Sequence, residues 1–189
     1  GQGALASGFN ATSIGFTSIA SGLASVSIGY GTKSKFDFSF VTGKFNDSTF
    51  TNSLFEIGNG TADNARNNAV TVLTNGTTLI TGPSILPGTP ANTPASGNGY
   101  RMMWYADKAS FRVGQAIADS WDKDNIGNAS FATGSATRAT GITSFAAGNF
   151  SYAIGDGSVA AGFSVQARAL GAASFGIFND ITDNPNASI

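Results

Sequence analysis

The stretch from Ser144 to Gly162, SFAAGNFSYAIGDGSVAAG, repeats one short motif three times. In each copy a serine stands four residues before a glycine, and an alanine stands two residues before it. The seven-residue spacing extends outward in two blocks: glycine lies at 127, 134, 141, 148, 155, 162 and 176, with Ala169 in the skipped slot, and at 8, 15, 22, 29 and 43, with Phe36 in the skipped slot. So many glycines in phase indicate a true internal repeat.

A seven-residue period first suggests a coiled coil, but a coiled coil needs large apolar residues at two positions of each heptad. The recurring residue here is glycine, which costs about 0.5–1 kcal/mol in a helix interior. We therefore interpret each heptad as a short strand that ends in a tight turn, with the glycine adopting a positive φ in that turn. Two heptads then form one coil of a narrow β-solenoid, and the fold class is all-β.

The alternation of side chains along a strand predicts two different faces. The serine and alanine share the face that fills the inside of the thin roll, and the other face points outward. In alternate heptads the outward residues are apolar, and we predict that they form an interface between chains: Ile14, Val26, Ile28, Phe40, Phe131, Phe145 and Val159. In the intervening heptads they are mostly polar, and we predict that they are available for ligand contact: Lys33, Lys35, Arg138, Tyr152, Gln166 and Arg168.

The apolar outer face predicts self-association. An exposed stripe of Phe, Val and Ile marks an interface, and rolls of two to four coils are marginally stable alone. Packing identical chains around a symmetry axis resolves both difficulties, so we expect an obligate homo-oligomer. The periodicity does not determine the number of chains.

The repeated strings, such as Ser130-Phe131-Ala132-Thr133-Gly134, resemble the head repeats of the YadA-like trimeric autotransporter adhesins. The resemblance covers roughly Ala4–Gly43 and Ile126–Gly176. It implies a left-handed parallel β-roll, a homotrimer, and a fibre that projects from a Gram-negative surface and binds host matrix or other cells. Similar modules occur in phage and tail-fibre proteins, so the route of export stays open.

Between the blocks the pattern changes, and we expect four segments. These are N-terminal roll repeats at 1–45, an insert of β-hairpins at 46–125, C-terminal roll repeats at 126–178 and an exit segment at 179–189. Within the insert, residues 54–60 and 69–76 are predicted strands that end in Asn-Gly turns, and Thr77–Thr81 would continue the second hairpin. The insert resembles β-elements of Bacteroidetes-type surface and fibre proteins and is expected to be prism-like. Proline-rich residues 82–99 are predicted to form a loop, and Tyr100–Gln115 a strand pair with Met102, Trp104, Phe111 and Val113 buried.

The composition excludes several kinds of chemistry. The 189 residues include no Cys and no His, which excludes disulfides, thiolate metal sites, thiol catalysis and the commonest general base. The net charge of −1 and the sparse basic residues give no surface suited to nucleic acid. No apolar stretch is long enough to span a membrane. We therefore expect neither an enzyme nor a cofactor, and no insertion of this segment into a membrane.

Four groups of residues are candidates for sites. Glu56 is predicted to be a solvent-facing strand residue rather than a catalytic acid. Asp119–Asn125 is predicted to be a polar turn, with a metal site at Asp119–Asp124 left open, and Asp180 with Asp183 a turn near the chain end. Trp104, Tyr105 and Trp121 are predicted to plug the junction of insert and roll, although a platform for sugars is an alternative.

The sequence therefore predicts an extracellular trimeric fibre segment that displays surfaces and attaches to a host or cell-surface protein or glycan. The chain begins in mid-repeat, which suggests a piece of a longer protein. The alternative is a structural spacer in a phage or injection-system tail fibre, which would place it on a virion or tail instead of a bacterial surface. An ice-binding solenoid is disfavoured because its threonines, such as Thr133 and Thr143, do not recur every fourteen residues.

Overall fold

The computed structural model describes residues 1–82 and 86–181. The chain divides into two compact units, Gly1–Thr81 and Gly82–Ile189. Strands account for almost all regular structure in the described ranges, where the helical elements are two single 3₁₀ turns at Ala106–Lys108 and Lys123–Asn125. The prediction of an all-β chain is confirmed.

The first unit contains nine strands: β1 (Leu5–Ala6), β2 (Thr12–Phe16), β3 (Ile19–Ala20), β4 (Val26–Tyr30), β5 (Lys33–Ser34), β6 (Phe40–Lys44), β7 (Ser53–Asn59), β8 (Asn68–Leu73) and β9 (Thr78–Ile80). The two-residue strands form a parallel short-strand sheet in the order β1-β3-β5, and the others form a long-strand sheet in the order β2-β4-β6-β7-β8-β9. Strands β1 to β6 make up the first roll. Strands β8 and β9 pair antiparallel, and the Asn75–Gly76 turn between them is closed by a 2.9 Å hydrogen bond from Gly76 N to Leu73 O.

The second unit contains ten strands within its described residues: β10 (Gly99–Tyr105), β11 (Ser110–Ala116), β12 (Phe131–Ser135), β13 (Arg138–Ala139), β14 (Phe145–Asn149), β15 (Tyr152–Ala153), β16 (Val159–Phe163), β17 (Gln166–Ala167), β18 (Ala173–Ile177) and β19 (Asp180–Ile181). Its long-strand sheet has the order β10-β11-β12-β14-β16-β18, and its short-strand sheet the order β13-β15-β17-β19. Strands β12 to β19 make up the second roll. Asp180 lies in a strand, so the turn predicted there is wrong, and Asp183 lies outside the described residues.

The pairing register gives the length of one coil. Phe131 pairs with Phe145, and Phe145 with Val159, always fourteen residues along a parallel ladder. In the first roll Val26 pairs with Phe40 by the same step. The backbone ladder therefore confirms a β-solenoid in which two heptads make one coil.

The strands of the predicted insert do not stand apart from these sheets. Strand β7 pairs parallel with β6, so β7 to β9 widen the long-strand sheet of the first unit. Strand β11 pairs parallel with β12, so β10 and β11 widen the long-strand sheet of the second unit. Whether the insert is prism-like stays a prediction.

Small side chains fill the inside of each roll, as predicted. In the second roll Ala132, Ala146 and Ala160 are fully buried and belong to one apolar core. In the first roll hydroxyl groups pair across the interior, with Ser27 Oγ and Thr32 Oγ1 2.8 Å apart and Ser34 Oγ and Ser39 Oγ 2.6 Å apart. Because these hydroxyls satisfy one another, the interior of the first roll can hold these four polar side chains.

The prediction for the repeat glycines is confirmed in part. Gly148 has the predicted positive φ, +107°, but it lies within strand β14, and the left-handed turn residue is Phe150, two positions later, with φ +51°. The left-handed position that follows the repeat Gly141 is likewise Thr143, with φ +55°. A Cβ built on Gly148 would lie 2.0 Å from the carbonyl oxygen of Gly162. Glycine is thus required mainly because adjacent coils approach too closely for a side chain.

Candidate functional site

Each long-strand sheet exposes an apolar outer face, which we define as the face opposite the Ser/Ala interior. The outer face bears all seven residues predicted to form an interface: Ile14, Val26, Ile28, Phe40, Phe131, Phe145 and Val159. Ile14, Phe40 and Phe145 are 53, 38 and 37% exposed in the single chain. Exposed apolar area of this extent on a soluble protein is typical of an interaction surface.

Aromatic rings stack along the outer face at the spacing of the strands. Phe111, Phe131 and Phe145 form a ladder with ring centroids 5.5 Å apart at each step. Phe40 and Phe55 stack in the first unit with centroids 5.8 Å apart. Parallel in-register pairing places like residues side by side, so the repeat itself builds these ladders.

The short-strand sheets expose polar side chains, and most of their charges are already paired. Lys33 Nζ lies 2.8 Å from Asp63 Oδ1. Arg138 Nη2 lies 2.6 Å from Asp119 Oδ1, and its guanidinium stands over the ring of Tyr152 at 5.6 Å.

The remaining residues predicted for ligand contact lie at the ends of the short-strand sheets. Arg168 Nε lies 3.2 Å from Asp180 Oδ1, and its guanidinium also donates to Gln166. Lys35 is exposed and lines a cleft of about 450 Å³ just beyond β5. Lys35 is therefore the predicted contact residue best placed to meet a ligand.

Glu56 is buried, contrary to the prediction of a solvent-facing residue. It is 2% exposed and pairs in register with Val41, which places its side chain among the interior residues at the end of the first roll. Asn46 Nδ2 donates a hydrogen bond to its carboxylate. The amide of Asn46 also bonds the main chain of Lys33, accepting from N at 2.7 Å and donating to O at 3.0 Å, so it caps the edge of β5 at Lys33 alone.

Arg112 has the corresponding interior position in the second unit, where it pairs in register with Ala132. It is fully buried and donates to three carbonyl oxygens, those of Phe111, Ser130 and Ala139, at 2.8, 3.0 and 3.0 Å. It also donates to Ser130 Oγ at 2.8 Å, while its Nε has no acceptor. Burial lowers the pKa of Arg112 well below its ordinary value, to about 10. The side chain ends the narrow interior and contacts no carboxylate among the described residues.

Aromatic residues close the same end of the second roll. Of the three predicted to plug the junction of insert and roll, Tyr105 and Trp121 do so. Trp121 is fully buried and its Nε1 donates to Thr137 O at 3.0 Å, and Tyr105 is buried beside it. The predicted burial of Met102 and Trp104 is wrong, because they are 74 and 37% exposed. Trp104 pairs with Phe111 and must share its face, and Phe111 is directed outward to stack on Phe131. Phe111 and Val113 are accordingly half-buried on the outer face instead of in the core.

Residues 119–125 form turns, as predicted. A 3₁₀ turn spans Lys123–Asn125, and Asp119 O accepts a hydrogen bond from Asp122 N at 2.9 Å. Asp122 Oδ2 accepts from Ser96 Oγ at 2.8 Å. In residues 1–82 and 86–181 no group of three or more acidic side chains is arranged to hold a metal ion. No helix there is long and apolar enough to cross a membrane.

A four-residue signal could have located both buried charges. Phe55-Glu56-Ile57-Gly58 aligns with Phe40-Val41-Thr42-Gly43, and Phe111-Arg112-Val113-Gly114 aligns with Phe131-Ala132-Thr133-Gly134. In each case the charge stands two residues before glycine, at the interior position. The buried charges were not recognised in the sequence, because the two glycines of each aligned pair are not fourteen residues apart.

The arrangement offers three surfaces for recognition: the apolar outer face, the polar faces of the short-strand sheets, and the cleft beside Lys35. Each is built from repeated strands or from the residues that end a repeat. Comparisons with protein-family models, curated proteins and solved structures gave no match to this chain.

Proposed function

We propose that the chain is a segment of an extracellular, homotrimeric fibre of the YadA-like adhesin head type, which holds surfaces away from a bacterial cell and attaches them to host, matrix or other cell surfaces. The observation that carries the proposal is the apolar outer face of the long-strand sheets. Burying that face between identical chains would remove Phe40, Phe131 and Phe145 from water, and the number three is taken from the resemblance of the repeats.

The energetics favour self-association over an isolated chain. Burying apolar surface contributes about 25 cal/mol per Å², and Phe40 and Phe145 on the outer face keep 38 and 37% of their surface exposed. The interior of each roll is thin and filled by Ser and Ala, so its own core contributes little. A fibre assembled this way needs no pocket for a reaction and no cofactor, and attachment is expected from its polar surfaces.

The test is the mass of the purified chain in solution, measured by light scattering after size exclusion. We expect a trimer, and Phe131→Ser combined with Phe145→Ser and Val159→Ser should give monomers or aggregates. The matched control replaces three exposed apolar residues in or beside the turns, Ile142, Ile154 and Leu170, with serine, and should stay trimeric. A triple outer-face variant that remains a soluble trimer of unchanged stability would show the interface to be elsewhere.

Attachment is tested separately, by binding of the trimer to cells and to arrays of matrix proteins and glycans. Binding to at least one such surface supports the adhesin. A stable trimer that binds none of them contradicts attachment and leaves the structural spacer as the better assignment.

A further inference from the structure

Phe36 marks the place where the first roll stops repeating. Phe36 stands in a slot that glycine occupies at 8 and 22, where a Cβ would lie 2.0 and 2.2 Å from the carbonyl oxygen fourteen residues later. Strand β5 is the last strand of its sheet, so no further coil stacks on Phe36 and a large side chain fits. The departure from glycine therefore coincides with an open edge of the sheet.

The chain leaves the coil after Lys44 and forms a wall beside this open edge. Asn46 anchors the wall by its two hydrogen bonds to the main chain of Lys33. Asp47 N donates to Asn68 Oδ1 at 2.8 Å, and Asp47 Oδ1 accepts from both N and Oγ1 of Thr49, at 3.1 and 2.7 Å. These hydrogen bonds restrain Asn46, Asp47 and Thr49 before any ligand arrives, which reduces the entropy cost of binding.

Between the edge and the wall lies a cleft of about 450 Å³, within the range of small-molecule sites. Its lining consists of one ammonium group, two aromatic rings and three hydroxyl groups: Lys35, Phe36, Ser48, Thr49, Phe50 and Thr51. Phe36 and Phe50 are half-buried, so each keeps part of its ring open to the cleft. No carboxylate lines it, and Lys35 makes no ion pair within the described residues.

We propose that this cleft binds a single acidic sugar residue, a six-membered ring that bears a carboxylate. Aromatic rings pack against the C–H faces of a sugar ring, and hydroxyl side chains exchange hydrogen bonds with its hydroxyls. The unpaired ammonium of Lys35 supplies a charge-assisted contact for the carboxylate, so an acidic sugar is preferred to a neutral one. The proposal rests on the attachment function proposed above and names the class of ligand.

The test titrates the purified chain with four sugars while NMR follows the signals of the cleft residues. The probes are glucuronic acid and N-acetylneuraminic acid, each against a neutral counterpart, glucose and N-acetylmannosamine. We expect each acidic sugar to bind about tenfold more tightly than its neutral counterpart at low salt, and the difference to shrink as salt is added. Shifts should centre on Lys35, Phe36 and Phe50.

Three variants separate charge from stacking. Lys35→Gln should reduce the affinity for the acidic sugars to that for the neutral ones, and Phe50→Ala should weaken binding of both kinds. Lys44→Gln removes the same charge from an exposed lysine outside the cleft and should leave all affinities unchanged. Equal affinity for acidic and neutral sugars, an equal effect of Lys35→Gln and Lys44→Gln, or tighter binding of an acidic peptide would overturn the proposal.

The proposal for the cleft and the proposal for attachment can fail independently of each other. If the sugars bind in the cleft but the chain is monomeric or binds no cell, the site stands and the proposed function fails. If a trimer attaches to cells equally well with Lys35→Gln and no sugar shifts the cleft signals, the function stands and the site fails.

Discussion

The α-carbon of Gly148 lies so close to the next coil that a Cβ on it would stand 2.0 Å from the carbonyl oxygen of Gly162. Gly148 also has a φ of +107°, which side chains rarely adopt. Gly148→Ala should therefore lower the free energy of unfolding by about 3 kcal/mol or more, as overpacking and backbone strain add. Urea denaturation at fixed chain concentration measures the change.

The matched control for this substitution is Gly157→Ala. Gly157 has a φ of +65°, but no atom lies within 4 Å of its added Cβ. Ala24 and Ala129 already occupy the equivalent left-handed position in other coils. The loss should be about 1 kcal/mol. Equal losses from the two variants would contradict contact between coils as the reason for glycine at 148.

Arg112 offers a test of whether a buried charge stabilises the end of the second roll. The carbonyls of Ser130 and Ala139 that accept from it also accept from main-chain N–H groups, those of Phe111 and Gly127, so they keep a partner when the guanidinium is removed. Arg112→Met should raise the free energy of unfolding by about 1 kcal/mol, because no carboxylate offsets the cost of burying the charge. Arg112→Ala should lower it by about 3 kcal/mol, because a cavity remains.

The lowered pKa of Arg112 determines how the effect of Arg112→Met on the free energy of unfolding depends on pH. Burial lowers this pKa to about 10, well below its ordinary value, so the folded state disfavours the charged form. The cost of burying the charge is fully present below about pH 9 and declines only as the pH rises through about 10 toward the ordinary pKa of arginine. The gain from Arg112→Met should thus be constant from about pH 6 to 9 in urea denaturation. A loss with Met as large as the loss with Ala would mean that the hydrogen bonds of Arg112 outweigh its burial.

The ionisation of Asp63 should make the stability of the first unit depend on pH in the acidic range. Its pKa is lowered from 3.8 to about 2, first by the hydrogen bond from Lys33 and then by the one from Arg66. Because the folded state favours the carboxylate, the stabilisation is present above about pH 4 and is lost as the pH falls toward 2. NMR titration of the carboxyl carbon measures this pKa directly.

Lys33→Gln should raise the pKa of Asp63 toward its ordinary value, and Lys44→Gln should leave it unchanged. If Lys33→Gln does not move the pKa, the ion pair is not formed in solution and Arg66 alone holds the carboxylate.

The sequence predicted the parts of the fold that repeat. Ser144 and Ala146 recur in phase with glycine, and alternation along a strand then assigns them to one face, which is the buried one. The outward position of Phe145 follows from the same alternation. The step of fourteen residues followed because only alternate heptads share an apolar outward residue.

Where the spacing changes, prediction from the sequence failed. Gly58 follows Gly43 by fifteen residues and Gly134 follows Gly114 by twenty, so Glu56 and Arg112 were not aligned with the interior positions they occupy. A charged residue is also expected at the surface unless a specific partner is known, and the partners of Glu56 and Arg112 become adjacent only in the fold. The position of Gly148 was misassigned for another reason, since a turn and a close approach of two coils both require glycine.

The fourteen-residue coil also makes the second roll extensible. Each coil contacts its neighbours through the same backbone ladder, and Thr143, Phe150 and Ser164 show that its turn positions accept unrelated side chains. An in-frame duplication of one coil would add one layer, about 4.8 Å high, without altering the cross-section. Arg112 and Trp121 would still close one end. The length of such a protein can change through duplication of coils, while the distance between its two sheets is set by the size of the alanine side chains inside the roll.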